Sequence, residues 1–254
     1  MALDRRELLA RTGGAAAGVL LSPLMARPPG APFRAVAFDA FPVFDPRPVF
    51  GLAETLFPGR GAALADAWRT RQFEYQWLRA LTGRYADFWQ TTQDALVFAA
   101  QLLKLELTPD TRMQLMQAYR ELKAWPDVAP ALKALREEGL RLVFLSNMTA
   151  SLLEAGIRNS GLDGAFELIL STDRIRTYKP DPRAYQMGVD ALKLAREEIL
   201  FVAFAGWDAA GAKSFGYPTF WVNRLGLPQE ELGFPPNAAG RDLADLVTFV
   251  RNPR

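Results

Sequence analysis

Five short apolar runs constrain this chain more than any other feature: Ala35–Phe38, Arg141–Leu145, Leu168–Leu170, Ile199–Ala205 and Thr219–Val222. They are close to continuously apolar, the pattern of strands covered on both faces. Helical patterns separate the later runs. Val128–Glu138 ends at Gly139, a residue suited to the left-handed turn that closes a helix. Ala150–Asn159 follows Thr149 as an N-cap and stops at Gly161. Asp181-Pro182 places a cap and a first-turn proline before a helix reaching about Leu194, and Ala209–Phe215 forms a short helix ended by Gly216. Strands alternating with helices predict an α/β fold, a Rossmann-like parallel sheet with right-handed crossovers.

The stretch from about Phe50 to Trp125 carries helical spacing and no convincing strand. Leu64, Trp68, Tyr75, Leu78 and Leu81 recur near helical intervals, as do Ala95, Phe98, Ala99 and Leu102, then Met113, Met116 and Arg120. This predicts a helical cap over 49–125, inserted into a core made of 32–48 and 126–254.

Composition narrows the chemistry. Half of the 254 residues are apolar, including 17 Phe and 6 Trp, enough for a sizeable core. The net charge is +2 and no basic block interleaves with aromatics, so nothing points to nucleic acid. The chain has no cysteine, which excludes disulfides and thiolate chemistry, and no histidine, which removes the commonest general base and metal ligand. Catalysis must run on carboxylate, Lys, Arg, Ser, Thr or Tyr. At the N-terminus, Arg5-Arg6-Glu7-Leu8-Leu9 precedes a mildly apolar stretch from Gly13 to Leu21 and then Leu24-Met25-Ala26. The apolar part is too short to span a bilayer and fits a twin-arginine export signal cleaved near Ala26. We therefore expect residues 1–31 to be a signal and linker, and the mature protein to be periplasmic or otherwise exported, free of the membrane. The alternative is a cytoplasmic protein with a loosely structured arm.

Polar groups fall at strand ends or just beyond: Asp39, Ser146 with Asn147, Lys179 and Asp208. Each alone has an ordinary reading as a cap or turn residue. Together they converge on one edge of one sheet, the crevice where open α/β sheets bind ligands. Phe41 follows Asp39 at two residues' distance, so no second carboxylate stands there to hold a hard cation. The spacing suits a nucleophilic carboxylate, with no phosphoryl transfer, no magnesium requirement and no cofactor.

The order of these groups resembles the haloacid dehalogenase superfamily, and within it the type II enzymes acting on (S)-2-haloacids. The resemblance rests on Val36-Ala37-Phe38-Asp39-Ala40, Phe57-Pro58-Gly59-Arg60-Gly61, Trp68-Arg69, Leu145-Ser146-Asn147, Tyr178-Lys179-Pro180-Asp181 and Trp207-Asp208-Ala209, spread over about residues 33 to 250. It implies that Asp39 attacks the halogen-bearing carbon of a short halogenated carboxylate, giving an ester and free halide. It implies that Arg69 meets the halide or the substrate carboxylate, and that Ser146 and Asn147 bind that carboxylate. Lys179 would neutralise Asp39, Asp208 would position water or Lys179, and Tyr185 would support Lys179 or the substrate. Phe41, Phe88 and Trp207 would form the apolar wall. Apolar cap surface suggests a homodimer.

The chain also departs from the family pattern. Type II enzymes continue after the nucleophile with Tyr-Gly-Thr-Leu-Phe-Asp; here Phe41-Pro42-Val43-Phe44-Asp45 is one residue shorter and lacks the threonine. Before Trp207 the family has Ser-Ser-Asn-Ala, and this chain has Ala203-Phe204-Ala205-Gly206. The missing serine and asparagine normally help hold the nucleophile and the hydrolytic water. The resemblance thus leaves open a working hydrolase with a drier pocket, an enzyme that stops at the ester, and an exported protein that only binds a small carboxylate.

Overall fold

The computed structural model describes residues 32–253. Six parallel strands form one sheet in the order β3-β2-β1-β4-β5-β6, with β1 Ala35–Phe38, β2 Arg141–Ser146, β3 Leu168–Ser171, β4 Ile199–Ala203, β5 Thr219–Val222 and β6 Ala238–Gly240. The chain builds outward from β1 to β2 and β3, then returns to the other side of β1 for β4, β5 and β6. That reversal leaves a crevice beyond the carboxyl end of β1, between the tips of β2 and β4.

Successive residues of a strand face opposite sides, and β1 shows the consequence. Val36 and Phe38 join one core layer, against helices α5 (Val128–Glu137), α6 (Ala150–Asn159) and α9 (Leu243–Arg251). Ala35 and Ala37 join the other, against α7 (Pro182–Leu192) and α8 (Gly206–Phe215). All four β1 residues are fully buried, as two-sided coverage of a parallel sheet demands. Within α6, Gly156 stands where a Cβ would lie 2.6 Å from the Phe44 ring, so the helix approaches that ring only because the side chain is absent.

The five predicted strands are all present, with small boundary changes. β4 stops at Ala203 rather than Ala205, because Ala205 becomes the extended residue ahead of α8 and its carbonyl accepts from the Asp208 N–H at 3.1 Å. α8 consequently begins at Gly206, three residues earlier than predicted.

Four helices lie between β1 and α5: α1 Arg47–Leu56, α2 Gly61–Thr82, α3 Phe88–Leu102 and α4 Pro109–Ala118. Caps fix two of their starts, Asp87 accepting from the Gln90 N–H and Thr108 from the Thr111 N–H. The chain leaves and rejoins the core at a single seam. Phe44 and Ala124 form an antiparallel bridge, the Asp45 N–H donates to Lys123 O at 2.8 Å, and the Trp125 N–H donates to Val43 O at 3.0 Å. On α2 the predicted apolar face is displaced. Leu78 and Leu81 are exposed, and the buried stripe is Leu64, Trp68, Gln72 and Gln76 at intervals of four. The C-terminal half of that stripe is polar because it meets the core's crevice rather than another apolar helix.

Candidate active site

Asp39 follows β1 and sits at the crevice floor. Its Oδ1 accepts from the Lys179 ammonium at 2.9 Å and from the Ser146 hydroxyl at 3.1 Å. Among the described residues its Oδ2 receives only the Phe41 N–H, at 3.3 Å. One oxygen is thus held and the other is left with unused lone pairs. Ser146 ends β2, and its Oγ also accepts from the Met148 N–H at 3.3 Å, which fixes the hydroxyl toward Asp39.

Lys179 lies beneath the floor, 1% exposed, and its ammonium also donates to Asp208 Oδ2 at 2.5 Å. Asp208 stands in the first turn of α8 and takes a second bond on Oδ1 from the Tyr185 hydroxyl at 2.8 Å. The charges of this trio are coupled. Burial disfavours the Lys179 ammonium, but Asp208 and Asp39 outweigh it and hold its pKa above the ordinary lysine value. Burial pushes the Asp208 carboxyl up to about 6; Lys179 opposes this and the Asp39 charge adds to it. Both directions have one origin: a single ammonium serves two carboxylates, so the trio favours keeping the lysine charged and lets its more buried carboxylate take up a proton.

Above the floor is a cavity of about 120 Å³ lined by Asp39, Phe41, Arg69, Phe88, Ser146, Asn147, Trp207 and Asp208, among others. Eight of the ten residues singled out in the sequence therefore face it. Lys179 does not, acting from below through Asp39 and Asp208. Tyr185, expected to support Lys179 or the substrate, does not line the cavity either; it is fully buried on α7, packs edge-on against Phe201, and reaches the site through its bond to Asp208. Burial also pushes the Tyr185 hydroxyl well above its usual range, so it remains a donor. Arg69 sits at the rim, 39% exposed, paired with Asp66 at 3.2 Å.

Several lining residues carry no signal in the sequence: Phe50 of α1, Gln72, Phe73 and Gln76 of α2, Trp125, and Phe204 beside Phe41. The glutamines read as ordinary helix-surface residues until α2 is placed over the crevice. Ala205 also lines the cavity, whereas Ala203 is buried in β4.

The model of the haloacid dehalogenase-like hydrolases matches residues 34–216. An (S)-2-haloacid dehalogenase from Pseudomonas sp. (strain YL) is 42% identical over 205 residues, covering 80% of this chain and 88% of the relative. A crystal structure of an L-2-haloacid dehalogenase superposes with a TM-score of 0.85 at 44% identity, covering 87% of this chain and 99% of the other. The L-2-haloacid dehalogenase of Xanthobacter autotrophicus with chloropropionic acid covalently bound gives a TM-score of 0.80 at 34% identity, covering 87% and 100% of the two chains. The chain belongs to the haloacid dehalogenase-like hydrolases. Within them it falls with the (S)-2-haloacid dehalogenases.

Proposed function

We propose that this chain is a hydrolase that removes halide from short 2-haloalkanoic acids through an ester on Asp39, without a metal. The observation that carries this reading is the asymmetry of Asp39. Lys179 and Ser146 hold Oδ1, and Oδ2 meets an apolar cavity with one long bond to it. Oδ2 attacks the halogen-bearing carbon, the carbon–halogen bond breaks with its electron pair, and halide leaves. The substrate carboxylate is received by the Ser146–Met148 turn, with Arg69 at the rim. Phe41, Phe88 and Trp207 enclose the alkyl part and exclude bulk water, which strengthens each electrostatic contact.

Hydrolysis of the ester needs a base. Asp39 loses its charge on esterification, and that charge is one of the influences raising the Asp208 pKa. Formation of the intermediate therefore lowers the Asp208 pKa and leaves that carboxylate ionised when water must be activated. The similarity to (S)-2-haloacid dehalogenases, one of them with chloropropionic acid covalently bound, supports the same chemistry.

A time course of halide release from (S)-2-chloropropionate tests this reading. Continuous release that is lost in Asp39→Asn is expected; no release from this or homologous 2-haloacids overturns it. Ala205 in the cavity wall favours a second reading, in which alkylation is intact and hydrolysis is slow. A burst of about one equivalent, with the protein gaining the mass of one carboxyethyl group, distinguishes that case. The twin-arginine segment lies outside the described residues. It supports export, and cell fractionation of the native chain against an Arg5→Lys, Arg6→Lys variant checks it.

A further inference from the structure

The orientation of one buried amide is dictated by its neighbours. The Lys179 backbone N–H, which can only donate, meets Asn147 at 2.9 Å, so the atom facing it is Oδ1; the Thr172 hydroxyl donates to the same oxygen at 3.3 Å. Asn147 Nδ2 therefore points the other way and donates to Gln76 at 2.8 Å, so the Gln76 atom there is Oε1. The Gln76 Nε2 group is left without an acceptor among the described residues, in a side chain only 1% exposed that lines the cavity. Two further N–H groups nearby lack an acceptor among the described residues: the indoles of Trp77, its neighbour in α2, and of Trp207, which packs edge-on against Trp77 at 5.5 Å. A buried donor without a partner is costly and calls for an explanation.

We propose that Gln76 is a specificity-determining residue of the dehalogenation, donating its amide N–H to the departing halide. The inference rests on the function proposed above. In that reaction the Asp39–carbon bond forms on one side of the carbon as the carbon–halogen bond breaks on the other. The halide, carrying the bonding electron pair, moves away from the floor toward the wall supplied by α2. Of the polar residues of α2 that line the cavity, Arg69 is paired with Asp66 at the rim and Gln72 donates to Thr92. Gln76 is the one of the three whose side-chain nitrogen has no partner among the described residues. The same cavity wall carries the rings of Phe73 and Trp207, beside which a bare anion is strongly disfavoured unless a donor meets it. Oε1 is engaged in fixing the amide, so the residue presents a donor and no competing acceptor.

The test is the dependence of kcat/KM on the leaving group, measured with 2-chloro-, 2-bromo- and 2-iodopropionate. Gln76→Glu keeps the oxygen that accepts from Asn147 and removes the donor; Gln76→Met removes both and serves if the first variant does not fold. Small halides accept hydrogen bonds more strongly. We expect the chloro substrate to lose on the order of tenfold more than the iodo substrate, the loss lying in kcat. An equal loss for all three halogens, or a rise in KM alone, overturns the assignment and makes Gln76 a carboxylate contact or a structural link. Wild-type protein silent toward all three substrates overturns the dehalogenation reading itself, and this inference with it.

Discussion

Lys179→Met removes one charge and little volume, and the structure dictates the cost. Asp39 Oδ1 at 2.9 Å and Asp208 Oδ2 at 2.5 Å both lose their counter-charge, and Asp208, the more deeply buried, cannot turn to bulk water. Removing one partner of a buried ion pair costs about 3–5 kcal/mol. In a chain of this size each kcal/mol moves Tm by roughly 2–4 °C, so a fall of about 6–20 °C is expected. The penalty depends on pH with a definite sign. Asp208 already has a pKa raised to about 6 with the ammonium present, and Lys179 is an influence holding it down, so without the ammonium the Asp208 carboxyl rises further. A folded-state pKa above the unfolded value gives stability that is present at low pH and lost as pH rises through the raised value. The variant should therefore unfold close to wild type at pH 5 and far below it at pH 8, read by circular dichroism melts at both. An equal deficit at both pH values, or a deficit under about 3 °C at pH 8, refutes the view that Lys179 serves as the shared counter-charge of two ionised carboxylates.

Two further predictions concern the ester. Its hydrolysis, followed in a single turnover, should rise with pH and level off below pH 6, since ionised Asp208 is the active form and esterified Asp39 no longer raises its pKa; Asp208→Asn should release about one equivalent of halide and stop, and steady turnover by that variant counts against Asp208 as the base. Restoring the polar pair with Ala203→Ser and Ala205→Asn should speed ester hydrolysis by on the order of tenfold or more if their loss limits turnover, with the burst unchanged; rapid-quench measurement of the ester separates the two steps.

Most of the sheet is legible in the sequence because each central strand is buried on both faces and so reads as an unbroken apolar run. The sixth strand, Ala238–Gly240, escapes for the opposite reason: it is a short edge strand of small residues with no apolar signature. The last helix carries a readable signal that the strand-by-strand reading passes over. Asp242 caps it through the Ala244 and Asp245 N–H groups, and Leu243, Leu246, Val247 and Val250 fall at helical intervals. For the site, residues at strand ends are found because topology fixes where a strand end goes. Gln72, Gln76 and Phe73 are not, because a residue's place on a long helix says nothing about what that helix will cover. Tyr185 shows the reverse limit: its spacing after Lys179 is informative, but its hydroxyl meets Asp208 through the packing of α7 against α8, which that spacing does not encode.

The antiparallel bridge at Phe44 and Ala124 has a consequence for how such a molecule can be remodelled. Because the two chain segments are hydrogen-bonded to each other where they leave the sheet, the four intervening helices present the rest of the protein with endpoints about one strand spacing apart, roughly 5 Å. The sheet experiences them as a hairpin loop, whatever their length. A longer, shorter or unrelated self-packing unit with neighbouring ends could be grafted at that point without disturbing the register of β1 and β2. The nucleophile and its counter-charge would stay in place, and the graft would bring a new wall, and with it a new preference, to the same floor.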